Sequence, residues 1–287
     1  MADTTETHYI AEKLSEVADL LEQQNASSFR VNAYRTAADY ISSTKAPLRE
    51  ILATSGVQGL EDLPTIGESI AQAVVELLET GSLSMLDRLR GSMDPEKLFQ
   101  TVPTIGPVLA RKLHDDLHLE TLEALEAAAL DGRLAGLKGM GPRRVRSIQH
   151  ALAGILARRR PQTSKPTKMP PLRTLLEIDR EYREKARQGQ LATISPKRFN
   201  PDGNVRIPVL HIERGPWRFT ALFSNSPNAH RFGRTHDWVL IFFEKDGQSE
   251  GQCTVVTEHR GVLADKRVVR GFERDCLQFY EMTSEVV

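Results

Sequence analysis

The sequence predicts a multidomain protein with an all-α N-terminal half and a small α+β C-terminal domain. Three observations predict this fold class. Apolar residues recur at helical spacing in the first 160 residues, a short phrase repeats three times there, and after residue 188 short runs rich in Val, Ile, Phe and Thr take over. A Pro-rich segment separates the two patterns. We therefore divide the 287 residues into domains at 1–92, 93–160 and 172–287, with a linker at 161–171.

The first predicted elements are amphipathic helices at 8–24 and 29–41. Asn25 breaks the pattern after the first helix, and Pro47 follows the second. The next helix is predicted to end at Thr80, because glycine at the following position suits the left-handed conformation that closes many helices.

The repeated phrase is an apolar residue, a tight turn ending in glycine, and then a helix. Its copies are Leu-Pro-Thr-Ile-Gly at 63–67, Val-Pro-Thr-Ile-Gly at 102–106 and Leu-Lys-Gly-Met-Gly at 137–141. Each copy places a small or branched apolar residue four positions after its final glycine. The repetition indicates an architecture of successive helical hairpins.

Charge is distributed unevenly, although the net charge is zero. Residues 1–100 carry 8 basic and 16 acidic residues, whereas residues 101–170 carry 12 and 6. Between Asp131 and Glu177 there is no acidic residue. A Gly-x-Gly turn that opens a helix presents backbone N–H groups and a positive dipole end, and here Lys138 and three arginines surround it. The third hairpin is therefore predicted to bind phosphate.

These motifs, in this order, resemble the amino-terminal region of family X DNA polymerases, the group that contains DNA polymerase beta. The resemblance runs through Phe29-Arg-Val-Asn-Ala-Tyr-Arg-Thr-Ala-Ala38, the three hairpins and residues 122–134, and covers roughly residues 8–158. In that family the region consists of an 8 kDa lyase domain and a helix-hairpin-helix domain, and it binds gapped DNA. The resemblance implies that the hairpins of this chain bind the sugar-phosphate backbone of DNA.

The resemblance also implies individual contacts. Arg30, Tyr34 and Arg35 match positions near the 5′-phosphate pocket of the family. The predicted DNA-binding residues are Arg30, Tyr34, Arg35, Gly67, Ser69, Gly106, Arg111, Lys138, Gly139, Gly141, Arg143, Arg144 and Arg146. No cofactor is expected, except a divalent or monovalent cation that a hairpin could hold.

The chemistry of the family is not expected to transfer. The lysine that forms a Schiff base in lyase-active members falls here on Ala73, and a neighbouring pocket lysine falls on Ser69. Imine chemistry then lacks its nucleophile, unless another lysine such as Lys45 substitutes. The chain contains no Asp-x-Asp pair, which excludes the two-metal polymerase site.

The first two hairpins depart from the usual pattern, because Thr65 and Thr104 stand where a first glycine is common. A β-branched residue is poor at positive φ, and its bulk could keep a phosphate away from the amides. These hairpins therefore either bind phosphate or serve only as tight turns between helices that pack against each other. For the third hairpin the alternative is an ordinary solvated basic face.

The C-terminal domain is predicted to be one antiparallel or mixed sheet with a helix packed on it. The helix is predicted from Leu172 to Gln188. Strands are predicted at 205–212, 218–223, 238–244, 253–257 and 267–270. The aromatic residues Trp217, Phe219, Trp238, Phe242 and Phe243 favour a sheet core over a base-stacking platform. Arg234-Thr-His-Asp-Trp-Val239 and 268–271 resemble a domain of small bacterial hairpin proteins and imply no mechanism.

Two further sets in this domain have functional interpretations. Asp237 and Glu258, with His211 and Glu213, could form a metal-dependent nuclease site. The basic residues that could extend a phosphate track are Arg231, Arg234, Lys266, Arg267 and Arg270.

The sequence thus predicts a structure-selective, sequence-independent binder of gapped, nicked or branched DNA in DNA repair, without lyase or polymerase activity. The alternative is a metal-dependent repair nuclease whose active site lies in the C-terminal domain. That domain could also recruit a repair protein or bind a small molecule. A cytoplasmic protein without a membrane segment is expected, since the N-terminus is acidic and the longest apolar runs are short.

Overall fold

The computed structural model of the protein describes residues 2–44, 46–92, 94–159, 169–245 and 250–284. Lys45, residue 160 and residues 161–168 of the predicted linker lie outside the described residues. The buried apolar side chains form three clusters, which span residues 10–89, 99–156 and 175–276.

The first cluster belongs to a helical module with the first hairpin. Its helices are α1 (Ala2–Gln23), α2 (Ser28–Ser43), α3 (Leu48–Glu61), α4 (Glu68–Thr80) and α5 (Ser84–Leu89). The side chain of Ser27 accepts a hydrogen bond from the N–H of Arg30 and so starts α2. Gly81 ends α4 at φ 68°, as predicted. The sequence analysis missed α3, where Gly56 kinks the helix at φ 63° and interrupts its period.

The second cluster belongs to a module that contains the other two hairpins. Its helices are α6 (Pro95–Gln100), α7 (Pro107–Leu117), α8 (Leu122–Leu130) and α9 (Pro142–Arg159). Phe99, Leu113, Leu125 and Ile148 are fully buried at its centre. The helices therefore pack around a core of their own, separate from the core of the first module.

The third cluster is built on a six-stranded antiparallel sheet in which each strand pairs with the next. The strands are β1 (Ala192–Ile194), β2 (Ile207–Arg214), β3 (Trp217–Phe223), β4 (Val239–Lys245), β5 (Gly251–Thr257) and β6 (Arg267–Val269). The accompanying helices are α10 (Leu172–Arg187), α11 (Pro227–Arg231) and α12 (Glu273–Ser284). The predicted fold class is confirmed. Only three residues form β1, too few for the alternation that marks a strand.

Both faces of this sheet are covered. On one face α10 packs, and the hydroxyl of Tyr182 donates to the carbonyl of Pro208 at 2.9 Å and accepts from the N–H of Phe223 at 2.8 Å. On the other face lies the N-terminal half, where the guanidinium of Arg88 stacks 3.9 Å from the ring centre of Phe242. This double coverage explains why β4 is buried along most of its length. Phe242 and Phe243 lie in the sheet core as predicted, whereas Trp238 precedes β4 and is only partly buried.

Arg88 also joins the two halves electrostatically. Its side chain is 3% exposed and donates two hydrogen bonds to Glu250, at 2.8 and 2.5 Å. Nearby, Gln252 on β5 joins the sheet to the segment between α7 and α8. Its side-chain amide donates to the carbonyl of His118 and accepts from the N–H of Glu120. The sheet and the helices are thus held in one arrangement by polar contacts as well as by apolar packing.

Candidate nucleic-acid interface

The three hairpin turns have one backbone geometry. In each, the residue before the final glycine donates its N–H to the residue three positions earlier, at 3.2 Å in the first turn, 3.1 Å in the second and 3.0 Å in the third. The third residue of each turn is left-handed, with φ of 67° at Thr65, 76° at Thr104 and 89° at Gly139. These are type II turns. The two threonines therefore adopt the conformation that the sequence analysis considered difficult for them.

The glycine that ends the second turn is not required by packing or by its own backbone. Gly106 has a φ of −89°, and a Cβ added to it would meet no heavy atom within 4 Å. The same open space surrounds Gly67 and Gly141. The residues four positions later, Ala71 and Ala110, are fully buried and fix each helix to its hairpin. Because glycine has no Cβ, the N–H groups at the start of the helix remain open to the close approach of a ligand.

Replacing Thr104 with glycine is expected to raise the free energy of unfolding by about 0.5–1 kcal/mol. The left-handed backbone costs a β-branched residue more than the extra chain entropy of glycine costs the folded state. Urea unfolding of the variant measures the change. The matched control is Thr101→Gly, at φ −71°, which should lower the same free energy. A loss of stability in both variants would contradict the assignment of strain to Thr104.

The second and third hairpins lie side by side. The guanidinium of Arg144, at the start of α9, donates to the backbone carbonyl of Thr104 at 3.2 Å. The ammonium of Lys112, on α7, lies 3.5 Å from the carbonyl of Lys138. The open N-termini of α7 and α9 therefore belong to one surface, which we call the paired-hairpin face.

Basic side chains concentrate on the paired-hairpin face. Arg143 and Arg146 are exposed, and neither forms an ion pair within the described part of the chain. Arg111 stands five positions after the glycine of the second hairpin, as Arg146 does after that of the third, and its side chain is 67% exposed. The first hairpin has Gln72 at the corresponding position. The predicted contacts Lys138, Gly139, Gly141 and Gly106 are all exposed on the paired-hairpin face.

The predicted contacts of the first module are arranged differently. Arg30, Tyr34, Gly67 and Ser69 line one cavity of about 590 Å³ between α2, the first hairpin and the sheet. Arg35 lies elsewhere, where it pairs with Asp19 at 3.4 Å and Glu22 at 3.0 Å, and Ala73 is buried. The cavity is also lined by Glu61 and Glu68, so its walls carry acidic as well as basic groups. The structure thus brings together three residues matched to the family pocket, Arg30, Tyr34 and Ser69, with the hairpin glycine Gly67.

A carboxylate from the sheet neutralises the arginine of this cavity. Arg30 is 8% exposed and lies 3.2 Å from Glu244, which also accepts from Arg218 at 2.9 Å. Burial opposes the ionisation of Glu244, but Arg30 and Arg218 outweigh it and lower its pKa. The phenol of Tyr34 points to the sulfur of Met85 at 3.3 Å, and burial raises its pKa. In this arrangement neither Arg30 nor Tyr34 faces solvent.

The four nuclease candidates are engaged in separate contacts. Asp237 accepts from Thr257 and Arg267, and Glu258 accepts from Arg270 at 2.7 Å. Glu213 accepts from the hydroxyl of Ser27 at 2.7 Å. The hydrogen bond from Arg270 and those from two backbone N–H groups outweigh the effect of burial and lower the pKa of Glu258. The cluster of potential metal ligands in the described residues includes none of these four.

His211 links the sheet to α1. Its Nδ1 accepts from the hydroxyl of Thr220, and its Nε2 donates to the side-chain oxygen of Gln24, both at 3.0 Å. Burial, reinforced by Arg30 and Arg88, lowers the pKa of His211 to about 3. The folded protein therefore holds this imidazole in its neutral form.

The free energy of unfolding should consequently fall as the pH drops from about 6.5 toward 3. In that window the unfolded chain binds a proton on His211 that the folded protein does not, which costs about 1.4 kcal/mol per pH unit. The variant His211→Asn should have a slope that is shallower by this amount. Urea unfolding at pH 6.5, 5.5 and 4.5 measures both slopes, and equal slopes would show that His211 does not set the dependence.

The sequence analysis missed a cluster beside α7. The side chains of Glu96, His114 and Asp115 offer potential metal-ligand atoms that all lie within 4.8 Å of one another. The guanidinium of Arg198 already places a positive charge at this cluster. It donates to Glu96 at 2.5 Å and lies 3.4 Å from Nδ1 of His114. Burial lowers the pKa of His114, but the Glu120 carboxylate outweighs it and raises the pKa above its usual value. His114 and Asp115 are adjacent, but Glu96 and Arg198 come from other parts of the chain, so no local spacing signals the cluster.

Comparison with known protein families agrees with this geometry. Residues 6–83 match the model of a helix-hairpin-helix domain family, and residues 96–153 match that of a SAM-like helix-hairpin-helix tandem. The second match spans the paired-hairpin face. The N-terminal half is therefore a helix-hairpin-helix region, which is a DNA-binding type of region. No helix among the described residues has the length and apolar character needed to cross a bilayer.

Proposed function

We propose that this protein binds DNA by its structure and not by its sequence, recognises gapped, nicked or branched DNA, and acts in DNA repair. The observation that carries the proposal is the paired-hairpin face, where two open helix N-termini and the exposed Arg143 and Arg146 share one surface. Helix N-termini and arginines bind phosphate oxygens, which every DNA sequence presents alike.

The preference for interrupted DNA rests on the position of the second contact region. We propose, from the sequence resemblance, that the cavity beside the first hairpin corresponds to the pocket that holds the 5′ side of a gap in family X polymerases. We propose that a duplex held on the paired-hairpin face bends where it continues to the first module. A nick or gap lowers the cost of bending, because stacking is interrupted there.

Lyase chemistry is not part of the proposed function. The position of the Schiff-base lysine holds the buried methyl group of Ala73, and Ser69 replaces the neighbouring lysine. A hydroxyl and a methyl group cannot form an imine. The carboxylates at the cavity, Glu61, Glu68 and Glu244, further reduce its attraction for a phosphate.

The test compares a duplex that contains a one-nucleotide gap with the continuous duplex of the same sequence, by fluorescence anisotropy at several salt concentrations. We expect the gapped duplex to bind more tightly, and both affinities to fall as salt rises. The variants Gly106→Ala and Gly141→Ala place a methyl group over the open amides without changing charge or packing. They should weaken both complexes while thermal unfolding stays unchanged.

Two results would count against the proposal. Equal affinity for the gapped and continuous duplexes would remove structure selectivity. Unchanged affinity in both glycine variants would remove the hairpins as the contact surface. A second pair of duplexes with unrelated sequence checks sequence independence, since backbone binding predicts the same affinities for both pairs.

A further inference from the structure

Two exposed aromatic rings lie on the surface of the C-terminal domain beside α7. Phe199 is 44% exposed and Phe232 is 53% exposed. The ring of His230 lies 4.4 Å from that of Phe199, centre to centre, with 37° between their planes. We call Phe199, His230 and Phe232 the aromatic platform. Exposed rings of this kind offer flat surfaces on which the bases of a nucleic acid can stack.

The rings are held in place by the surrounding polar structure. Phe199 has a left-handed φ of 54°, an unfavourable conformation for a bulky residue. The buried side chain of Asn200 fixes the loop, because it donates to the carbonyl of Pro196 at 2.9 Å and accepts from the N–H of Val205 at 2.8 Å. The side-chain oxygen of Asn225 accepts a hydrogen bond from Nε2 of His230 at 2.6 Å. The platform is thus organised before any ligand arrives.

The segments that form the platform are basic, while Glu96 on the neighbouring α6 pairs with Arg198. The two segments, 195–206 and 225–236, contain five basic residues and one acidic residue, Asp202. The guanidinium of Arg198 lies 5.1 Å from the ring centre of Phe199, and that of Arg231 lies 5.0 Å from that of Phe232. Aromatic rings interleaved with arginines suit unpaired bases, which stack on the rings while their phosphates meet the cations.

The platform is continuous with the paired-hairpin face. The carboxylate of Glu96 lies 2.5 Å from the guanidinium of Arg198 and 3.7 Å from that of Arg111, the exposed arginine of the second hairpin. In addition, the side-chain amide of Asn228 donates to the carbonyl of Asp115 on α7 at 2.8 Å. The two surfaces therefore adjoin each other through Glu96 and α7.

From this arrangement we propose that the aromatic platform stacks the unpaired bases of a DNA strand that continues from the duplex held on the paired-hairpin face. The preferred ligand is DNA in which a single-stranded segment adjoins a duplex. The inference rests on the proposed DNA-binding function and adds to it the feature that is recognised, namely exposed bases beside a duplex end.

The test measures the affinity of the full chain for a blunt duplex and for the same duplex with a single-stranded tail of about 10 nucleotides. We expect the tail to increase affinity. The double variant Phe199→Ala, Phe232→Ala should bind the tailed duplex about 5- to 100-fold more weakly and the blunt duplex as the wild type does, since stacking contributes about 1–3 kcal/mol per base. A 2-aminopurine in the tail reports stacking through quenching of its fluorescence.

Two control variants separate stacking from misfolding. Phe199→Tyr with Phe232→Tyr keeps the rings and should keep the affinity and the quenching. Val262→Ala with Met282→Ala removes two other exposed apolar side chains, 84% and 71% exposed, and should change neither DNA complex.

Equal affinity of the wild type for blunt and tailed duplexes would overturn the inference, and so would unchanged binding of the tailed duplex by the alanine variant. In either case the platform would be assigned to a protein partner. Failure of the proposed function gives a different result, because binding of the blunt duplex itself would then be insensitive to Gly106→Ala and Gly141→Ala.

Discussion

Changing Arg143, Arg144 and Arg146 together to glutamate is expected to weaken binding to gapped duplex DNA by about 100-fold or more. Each charge-assisted contact to a phosphate contributes about 1.5–3 kcal/mol, and glutamate adds repulsion in its place. The slope of log affinity against log salt should fall by about 0.9 for each phosphate contact that is lost. Anisotropy titrations between about 50 and 200 mM salt measure both quantities.

Two controls make this result specific. The charge reversals Arg180→Glu, Arg187→Glu and Arg274→Glu change the net charge equally on α10 and α12, where all three side chains are exposed. They should leave most of the affinity intact. The double variant Arg143→Glu, Arg146→Glu keeps the contact of Arg144 with Thr104 and should still lose most of the binding. If the α10 and α12 variant lost as much affinity as the hairpin variant, total charge and not the hairpin surface would govern binding.

Replacing Arg267 with methionine is expected to lower the free energy of unfolding by about 3–5 kcal/mol. Arg267 donates to Asp179 at 3.0 and 2.6 Å, to the carbonyl of Val255 at 3.1 Å, and to Asp237. The side chain of Asp179 is 1% exposed. Without the guanidinium, the buried negative charge of Asp179 lies near that of Asp237 with less positive charge to balance it. Removing one partner of a buried ion pair in this way is strongly destabilising.

The matched control is Arg214→Met, which breaks an ion pair with Glu181 at the surface, where the side chain of Arg214 is 46% exposed. It should cost no more than about 1 kcal/mol. Guanidinium unfolding of both variants gives the comparison. Similar losses of unfolding free energy in the two variants would show that Arg267 does not stabilise the fold. Arg267 would then again be a candidate for binding phosphate.

Local structure was largely predictable from the sequence. The limits of α4 followed from a 3.6-residue period and from Gly81, and the strands β2 to β5 followed from apolar runs between turns. The failures have local reasons as well. Gly56 interrupts α3, and β1 is three residues long. No sequence pattern pointed to a role for Phe199 and Phe232, because single aromatic residues in loops belong to no periodic pattern.

The candidate site was predictable in part. The three hairpins were found because their turns repeat in sequence, and the family comparisons cover all three. The pairing of Arg30 with Glu244 was not predictable, since 213 residues stand between them and neither belongs to a motif with the other. Asp237 and Glu258 looked available in the sequence for the same reason, because Arg267 and Arg270 become their partners only in the fold.

The sequence by itself determined the order of helices, hairpin turns and strands and the concentration of basic residues around the third hairpin, because local periodicity, turn chemistry and composition set these features. The tertiary structure decided which charges remain available. It leaves Arg143 and Arg146 exposed on the paired-hairpin face and pairs Arg30 with Glu244 under the sheet. Such availability depends on packing between distant segments, and no local pattern records it.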